Sequence, residues 1–186
     1  PVHHVRGHIS ATYIAHLDLE PPFVCLCVSG GTTLIVDVKD YTKMRVLGAT
    51  RDDAAGECFD KVARVLGLPY PGGKPMEDLA QGGDDHAYVL PRSHVADSDL
   101  DMSFSGLKTA VVNLVHNAQQ KGETLDRPGL AASFAAAVSD ELVPRAILAA
   151  KRYNHHTVVA AGGVAANSRI RADLERACRE NGLRLF

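Results

Sequence analysis

The sequence predicts an α/β domain, on three observations. Short β-branched, apolar runs at Phe23–Ser29, Leu34–Val38 and Thr157–Ala161 read as strands. Stretches such as 52–66 and 166–180 space their apolar residues as helices do. A chain of 186 residues, 46% hydrophobic and 23% charged, is long enough for one well-buried domain with room for lobes. Composition also excludes classes. Twenty Lys and Arg against 22 Asp and Glu give a net charge of −2, so no global basic surface advertises nucleic acid, although folding can assemble a local patch. No apolar run approaches the roughly 18 residues of a bilayer span, and no signal-peptide pattern heads the sequence. The 16 Gly and nine Pro are dispersed, against disorder or a repeat array. The expectation is a cytoplasmic protein with no membrane association.

Residues 3–17 are expected to be helical. Phe23–Ser29 and Leu34–Val38, separated by Gly30-Gly31-Thr32-Thr33, form a hairpin. Cys25 and Cys27 alternate with Val24, Leu26 and Val28, which puts both thiols on one face of a buried strand. With Cys58 and Cys178 they show no C-x-x-C spacing, so structural thiols in a reducing compartment are expected. Ala55, Phe59, Val62, Ala63 and Leu66 mark a helix over 52–66, which Pro69-Tyr70-Pro71-Gly72-Gly73 stops. Residues 81–103 are polar, with Gly, Pro and Asp, and read as a loop or small lobe. Within a single region spanning 1–186, residues 81–128 are a candidate inserted loop and helical subregion.

Ser105 is a credible N-cap for a helix reaching about Gln120. After a polar break at 119–128, a long helix covers 129–152, with Pro144 as its kink. Thr157–Ala161 is a short buried strand. Gly162-Gly163 turns the chain into an amphipathic helix over 166–180, marked by Ile170, Leu174 and Ala177 and by the pairs Arg171–Glu175 and Arg176–Glu180. Leu183–Phe186 opens another strand. The start on Pro1-Val2-His3 and the close inside an apolar run predict a piece of a longer protein.

Three patterns carry chemistry. His4 and His8 stand at i and i+4, about 6 Å apart on one helix face, where two imidazoles can share a metal ion. The protease pattern H-E-x-x-H has that spacing, but Val5 occupies the place of its general base. Two surface histidines remain an equal reading. Ser29-Gly30-Gly31-Thr32-Thr33 lets backbone and hydroxyls approach a phosphate, or is a bare hairpin turn. Ala161-Gly162-Gly163-Val164-Ala165-Ala166-Asn167 aims helix amides at a ligand, or is a turn needing small residues; it does not match G-x-G-x-x-G. Among weaker signals, the helix dipole alone explains Asp52-Asp53 at a helix start, and Asp60 lies where it could face a cleft. Ser105 has no base tied to it by spacing. His16, His86, His94, His116, His155 and His156 are expected to be solvated.

In their order and combination these motifs closely resemble the TsaD family, also called Gcp or YgjD. They are His3-His4-Val5-Arg6-Gly7-His8, Val28-Ser29-Gly30-Gly31-Thr32-Thr33, Asp52-Asp53-Ala54-Ala55-Gly56-Glu57 with Phe59-Asp60-Lys61, Pro69-Tyr70-Pro71-Gly72-Gly73, Phe104-Ser105-Gly106-Leu107-Lys108-Thr109 and Ala161-Gly162-Gly163-Val164-Ala165-Ala166-Asn167. The resemblance implies part of an actin-like ATPase fold (ASKHA, ribonuclease H-like), with a nucleotide held between two lobes. It implies a transferase that moves threonylcarbamoyl from threonylcarbamoyl-AMP to the adenosine beside the anticodon, in tRNAs reading codons that begin with A. It implies one divalent metal, iron or zinc, on His4, His8 and an aspartate that falls beyond Phe186, with ATP or threonylcarbamoyl-AMP as ligand. Substrate contacts would fall on Cys27, Val28, Ser29, Gly30, Gly31, Asp60, Gly73 and Asn167. The partners implied are tRNA, a paralogous ASKHA subunit and a small ATPase.

Two positions depart from the family pattern. Arg6 stands where Glu is usual, putting a cation near the histidines, and Thr32 stands where His is usual. With the third metal ligand absent as well, the piece alone is expected to hold metal poorly and to lack turnover. The readings that compete are an ASKHA kinase, a non-catalytic scaffold paralogue and the metal-dependent glycoprotease that gave the family an older name. A kinase would bind magnesium through carboxylates and leaves the histidine pair unexplained. A scaffold should lack that pair and much of the Gly162–Asn167 loop.

Overall fold

The computed structural model describes residues 3–186. Phe23–Val28 (β1) is apolar throughout and buried throughout, as a central strand covered on both faces must be. It pairs antiparallel with β2 (Thr33–Val38), which pairs antiparallel with β3 (Met44–Ala49). On its other side β1 runs parallel to β4 (Thr157–Ala161), and β4 parallel to β5 (Arg184–Leu185). The sheet order is β3-β2-β1-β4-β5.

Alternation along β1 divides the apolar residues between two cores. Val24, Leu26 and Val28 enter one core with residues of α2 (Ala55–Val65), α4 (Ser105–Lys121), α5 (Arg127–Arg152) and α6 (Ser168–Glu180). Phe23, Cys25 and Cys27 enter a second, smaller one under α1 (His4–Ala15), whose Ile9 is fully buried. The expected common face of the two thiols is therefore present. Helix α5 is the largest contributor to the first core; each of its buried Leu130, Phe134 and Leu142 side chains contributes about 1.5–3 kcal/mol.

Several expectations need correcting. β3 went unread because its burial alternates poorly and Arg45 and Val46 face solvent on an edge strand. The segment after Pro71 does not remain a turn: Gly73–Ala80 forms a further helix, α3. Ser105 is not the cap of α4. Asp52 caps it from a distant segment, its Oδ1 accepting from the Phe104 and Ser105 amides at 2.8 and 3.2 Å. The Ser105 hydroxyl instead donates to Asp52 Oδ2 at 2.7 Å. The expected long helix is present as α5, with Pro144 inside it.

Residues 81–128 feed Leu90, Leu100, Met102, Phe104, Leu107 and Val111 into the main core. Among the scattered histidines, His155 is not solvated. It is 8% exposed, with Nε2 2.9 Å from Oδ1 of the buried Asp37. No helix among the described residues is long and apolar enough to cross a membrane.

Candidate functional site

The carboxyl ends of β1 and β4 lie side by side, with Cys27 opposite Ala161, and the chain leaves both strands through glycine-rich turns. Close backbone approach shapes this end of the sheet. Gly162 has φ of 95°, and a Cβ there would meet the Val28 carbonyl oxygen at 2.3 Å. A Cβ on Gly56, in the first turn of α2, would lie 2.5 Å from the Ser29 carbonyl oxygen and 2.7 Å from Gly30 Cα. The turn after β1 closes through the Ser29 amide, which donates to the Thr32 carbonyl at 2.7 Å. Thr33 then supplies its hydroxyl oxygen to the Ala55 amide at 2.9 Å, capping α2 from within β2.

A cavity of about 400 Å³ opens between these segments. Gly30 lines it from the first turn, Gly56 and Asp60 from α2, Gly73 and Glu77 from α3, and Gly163 and Asn167 from the turn before α6. The amino-terminal residues of three helices therefore face one space, which sets helix amides beside the Asp60 and Glu77 carboxylates and the Lys74 ammonium. Asp60 Oδ1 accepts from the buried Gly72 amide at 2.7 Å and fixes the Pro71-Gly72-Gly73 turn against α2. Asn167 Oδ1 accepts from the Arg169 and Ile170 amides at 3.1 and 3.3 Å, capping α6. Glu77 accepts from the Ser168 amide at 2.8 Å and joins α3 to the start of α6. Hydrogen bonding from Ser168 holds the Glu77 carboxyl below the usual range.

Of the residues expected to contact substrate, Gly30, Asp60, Gly73 and Asn167 are brought together along this cavity. Ser29 and Gly31 flank Gly30 in the turn and lie outside the lining. The Cys27 and Val28 side chains point into the two cores, so only their backbone can reach a ligand. Burial pushes the Cys27 thiol up, which disfavours its thiolate. Sequence reasoning missed Glu77, because α3 itself went unread. It also missed the cavity role of Gly56, although the motif around Gly56 was in view.

Asp52 and Asp53 do more than complement a helix dipole. Asp53 receives Lys108 and Lys61 ammoniums, each at 2.8 Å, and these bonds hold its carboxyl below the ordinary value. Asp52 and Asp53 thus tie α4 to α2 and do not line the cavity.

His4 and His8 lie outside the cavity, on α1. Their Nε2 atoms are 3.0 Å apart and their rings meet edge-on with centroids at 4.5 Å. Two nitrogens on metal bonds of about 2.1 Å are about 3.0 Å apart at an octahedral right angle and about 3.4 Å apart at a tetrahedral angle, so the observed spacing is near that of two ligands of one ion. No Asp, Glu, Cys or third His among the described residues completes that set. Arg6, two residues from each histidine, projects from the opposite side of the helix, which lessens the electrostatic conflict expected of it.

The family model described as TsaD, tRNA N6-adenosine threonylcarbamoyltransferase, matches residues 1–186. The chain belongs to the TsaD family. A curated relative of that name from Moorella thermoacetica is 52% identical over 185 residues, covering all of this chain and 54% of its own length. Another, from Clostridium botulinum strain 657, is 49% identical over the same span and share. The chain thus spans about half the length of the curated relatives it matches. Among solved structures, full-length HypF in its phosphate- and nucleotide-bound form superposes with a TM-score of 0.74 at 14% identity, covering 99% of this chain and 39% of HypF. Component A of the Acidaminococcus fermentans (R)-2-hydroxyglutaryl-CoA dehydratase gives 0.50 at 19%, over 97% of this chain and 60% of that one. At such identities the likeness shows the fold alone, and that fold is the actin-like ATPase type expected for the TsaD family.

Proposed function

We propose that this chain forms one wall of the substrate cleft of a tRNA N6-adenosine threonylcarbamoyltransferase, holding threonylcarbamoyl-AMP while the N6 amine of the adenosine beside the anticodon attacks it. The observation that carries the reading is convergence: Gly30, Asp60, Gly73 and Asn167, distant in sequence, line one cavity of about 400 Å³ facing three helix amino-termini. In this reading the bare backbone at Gly30 and Gly73 admits the adenylate. Asp60, with Oδ1 committed to Gly72, offers its second oxygen to a ribose hydroxyl. A bond forms from N6 to the carbamoyl carbon as the bond from that carbon to the phosphate oxygen breaks. The departing AMP carries the electron pair, and N6 gives up one proton. The helix amino-termini stabilise the charge that gathers on the leaving phosphate. No nucleophilic side chain is required, in keeping with the buried thiols.

His4 and His8 would hold a divalent ion, iron or zinc, as two of its ligands. When bound, such an ion supplies Lewis-acid polarisation of the threonylcarbamoyl group. The proposed partners are tRNA, a paralogous subunit and a small ATPase. Support for these is the family's resemblance.

Calorimetric titration of ATP, standing in for the adenylate, tests the cleft. Saturable binding to the chain, weakened at least tenfold in Asn167→Ala, is the expected result. Absence of binding, or equal binding by the variant, overturns the reading. Metal content, measured in parallel on His4→Ala/His8→Ala, should fall if the pair is a ligand set.

A further inference from the structure

We propose that Tyr70 is a stacking platform for an unpaired nucleobase of the RNA substrate, a neighbour of the adenosine that enters the cleft. The inference rests on the transferase reading and deepens it. Tyr70 is 78% exposed, although a Tyr ring ordinarily dominates local burial. The other exposed apolar residues belong elsewhere. Ile14 and Leu17 lie on and just after α1, and Tyr41 rests against Tyr13 with ring centroids 5.1 Å apart. Val46 is on the edge strand β3, Tyr153 lies beneath the Arg45 guanidinium, and Val89 is in the segment before α4. Among the described residues Tyr70 has no aromatic partner.

What surrounds Tyr70 in the chain is rigid. Pro69 and Pro71 fix φ on either side of it, and Asp60 anchors Gly72 just beyond. Pro71 and Gly73 both line the cavity, and Tyr70 adjoins that lining in the chain without being part of it. A rigidly based aromatic with few torsions loses little entropy when a planar partner lies on it. Unpaired bases in RNA loops are recognised in this way, at about 1–3 kcal/mol per base. An adenosine whose N6 reaches the cavity leaves its chain neighbours at the mouth. Lys74, on the same rim, has its ammonium 2.7 Å from Asp78 in an exposed pair, which costs little to exchange for a phosphate.

The chain contains no Trp, so Tyr70→Trp places a single indole at the platform and keeps the stacking surface. An anticodon stem–loop RNA carrying the target adenosine should quench the emission of that indole saturably, with wild-type affinity retained. Tyr70→Ala should weaken binding of that RNA by about 5- to 100-fold, while ATP affinity stays unchanged. Wild-type RNA affinity in Tyr70→Ala, or an unquenched indole with RNA bound, overturns the platform and spares the transferase reading. Quenching by free AMP at the same base concentration assigns the ring to the small ligand and overturns the RNA assignment. Failure of the unaltered chain to bind the stem–loop, with ATP binding intact, overturns both the platform and the claim that this chain meets tRNA.

Discussion

Asp60 acts first on the backbone. Its Oδ1 satisfies the buried Gly72 amide, so Asp60→Ala leaves an N–H without a partner and should cost about 1–3 kcal/mol in urea unfolding. Asp60→Asn keeps an acceptor in place and should restore most of that stability. ATP affinity should still fall in Asp60→Asn if the second oxygen meets a ribose; equal affinity would confine Asp60 to the turn. A different residue-scale commitment lies at the other end of the sheet. His155 and Asp37 are buried together, with Arg45 reaching Asp37 Oδ2 at 3.1 Å from a more exposed position. Removing one partner of such a pair costs about 3–5 kcal/mol, and His155→Ala should sit at the lower end because Arg45 remains. A loss under about 1 kcal/mol would mean that the pair contributes little.

Helix junctions at the cleft depend on neighbours rather than on their own caps. Asp52 closes the start of α4 with both oxygens, so Asp52→Ala should cost about 1–2 kcal/mol, and Ser105→Ala less. Equal losses from the two would return the cap to Ser105. Gly56→Ala drives a methyl against the Ser29 carbonyl and Gly30, pushing α2 away from the turn that lines the cavity. We expect that variant to lose stability and ATP affinity together, read by thermal melting and calorimetry. These junctions also mark where sequence reading stops. The strands β1, β2 and β4 and the helices α2, α5 and α6 were legible because burial imposes period and composition on them. β3 and α3 were not: an edge strand carries Arg45 outward, and a helix of eight residues opening on Gly73 has too few turns for a period to show. The cap by Asp52 joins residues so far apart that no local pattern encodes it.

At the scale of the molecule, ionised carboxylates join the elements. Hydrogen bonds to Lys108 and Lys61 lower the Asp53 carboxyl. For Asp52, Asp101 and Asp173, burial raises it, but hydrogen bonds outweigh the burial, joined by neighbouring arginines at Asp101 and Asp173, and leave each below the ordinary 3.8. Such a group binds its proton less readily folded than unfolded. Its stabilisation is therefore complete above about pH 4 and is lost as the pH falls through the folded values. Melting temperature should drop steeply below pH 4, and Asp53→Asn should flatten that drop; an unchanged slope would remove Asp53 from the account. The cleft residues were legible in the same global sense. Gly30, Asp60, Gly73 and Asn167 came from a resemblance, and only the sheet explains why they share a space. The pairing of Leu26 with Ala160 also bears on the order of events in folding. The β1–β2–β3 meander closes short loops, whereas β4 must return from near the far end of the chain, the slower kind of contact to form. The seating of Gly162 on Val28, and with it the finished cavity, therefore waits on that long-range closure. A nucleotide bound there should slow unfolding, and any gain in the refolding rate measures how far the site is already formed at the barrier.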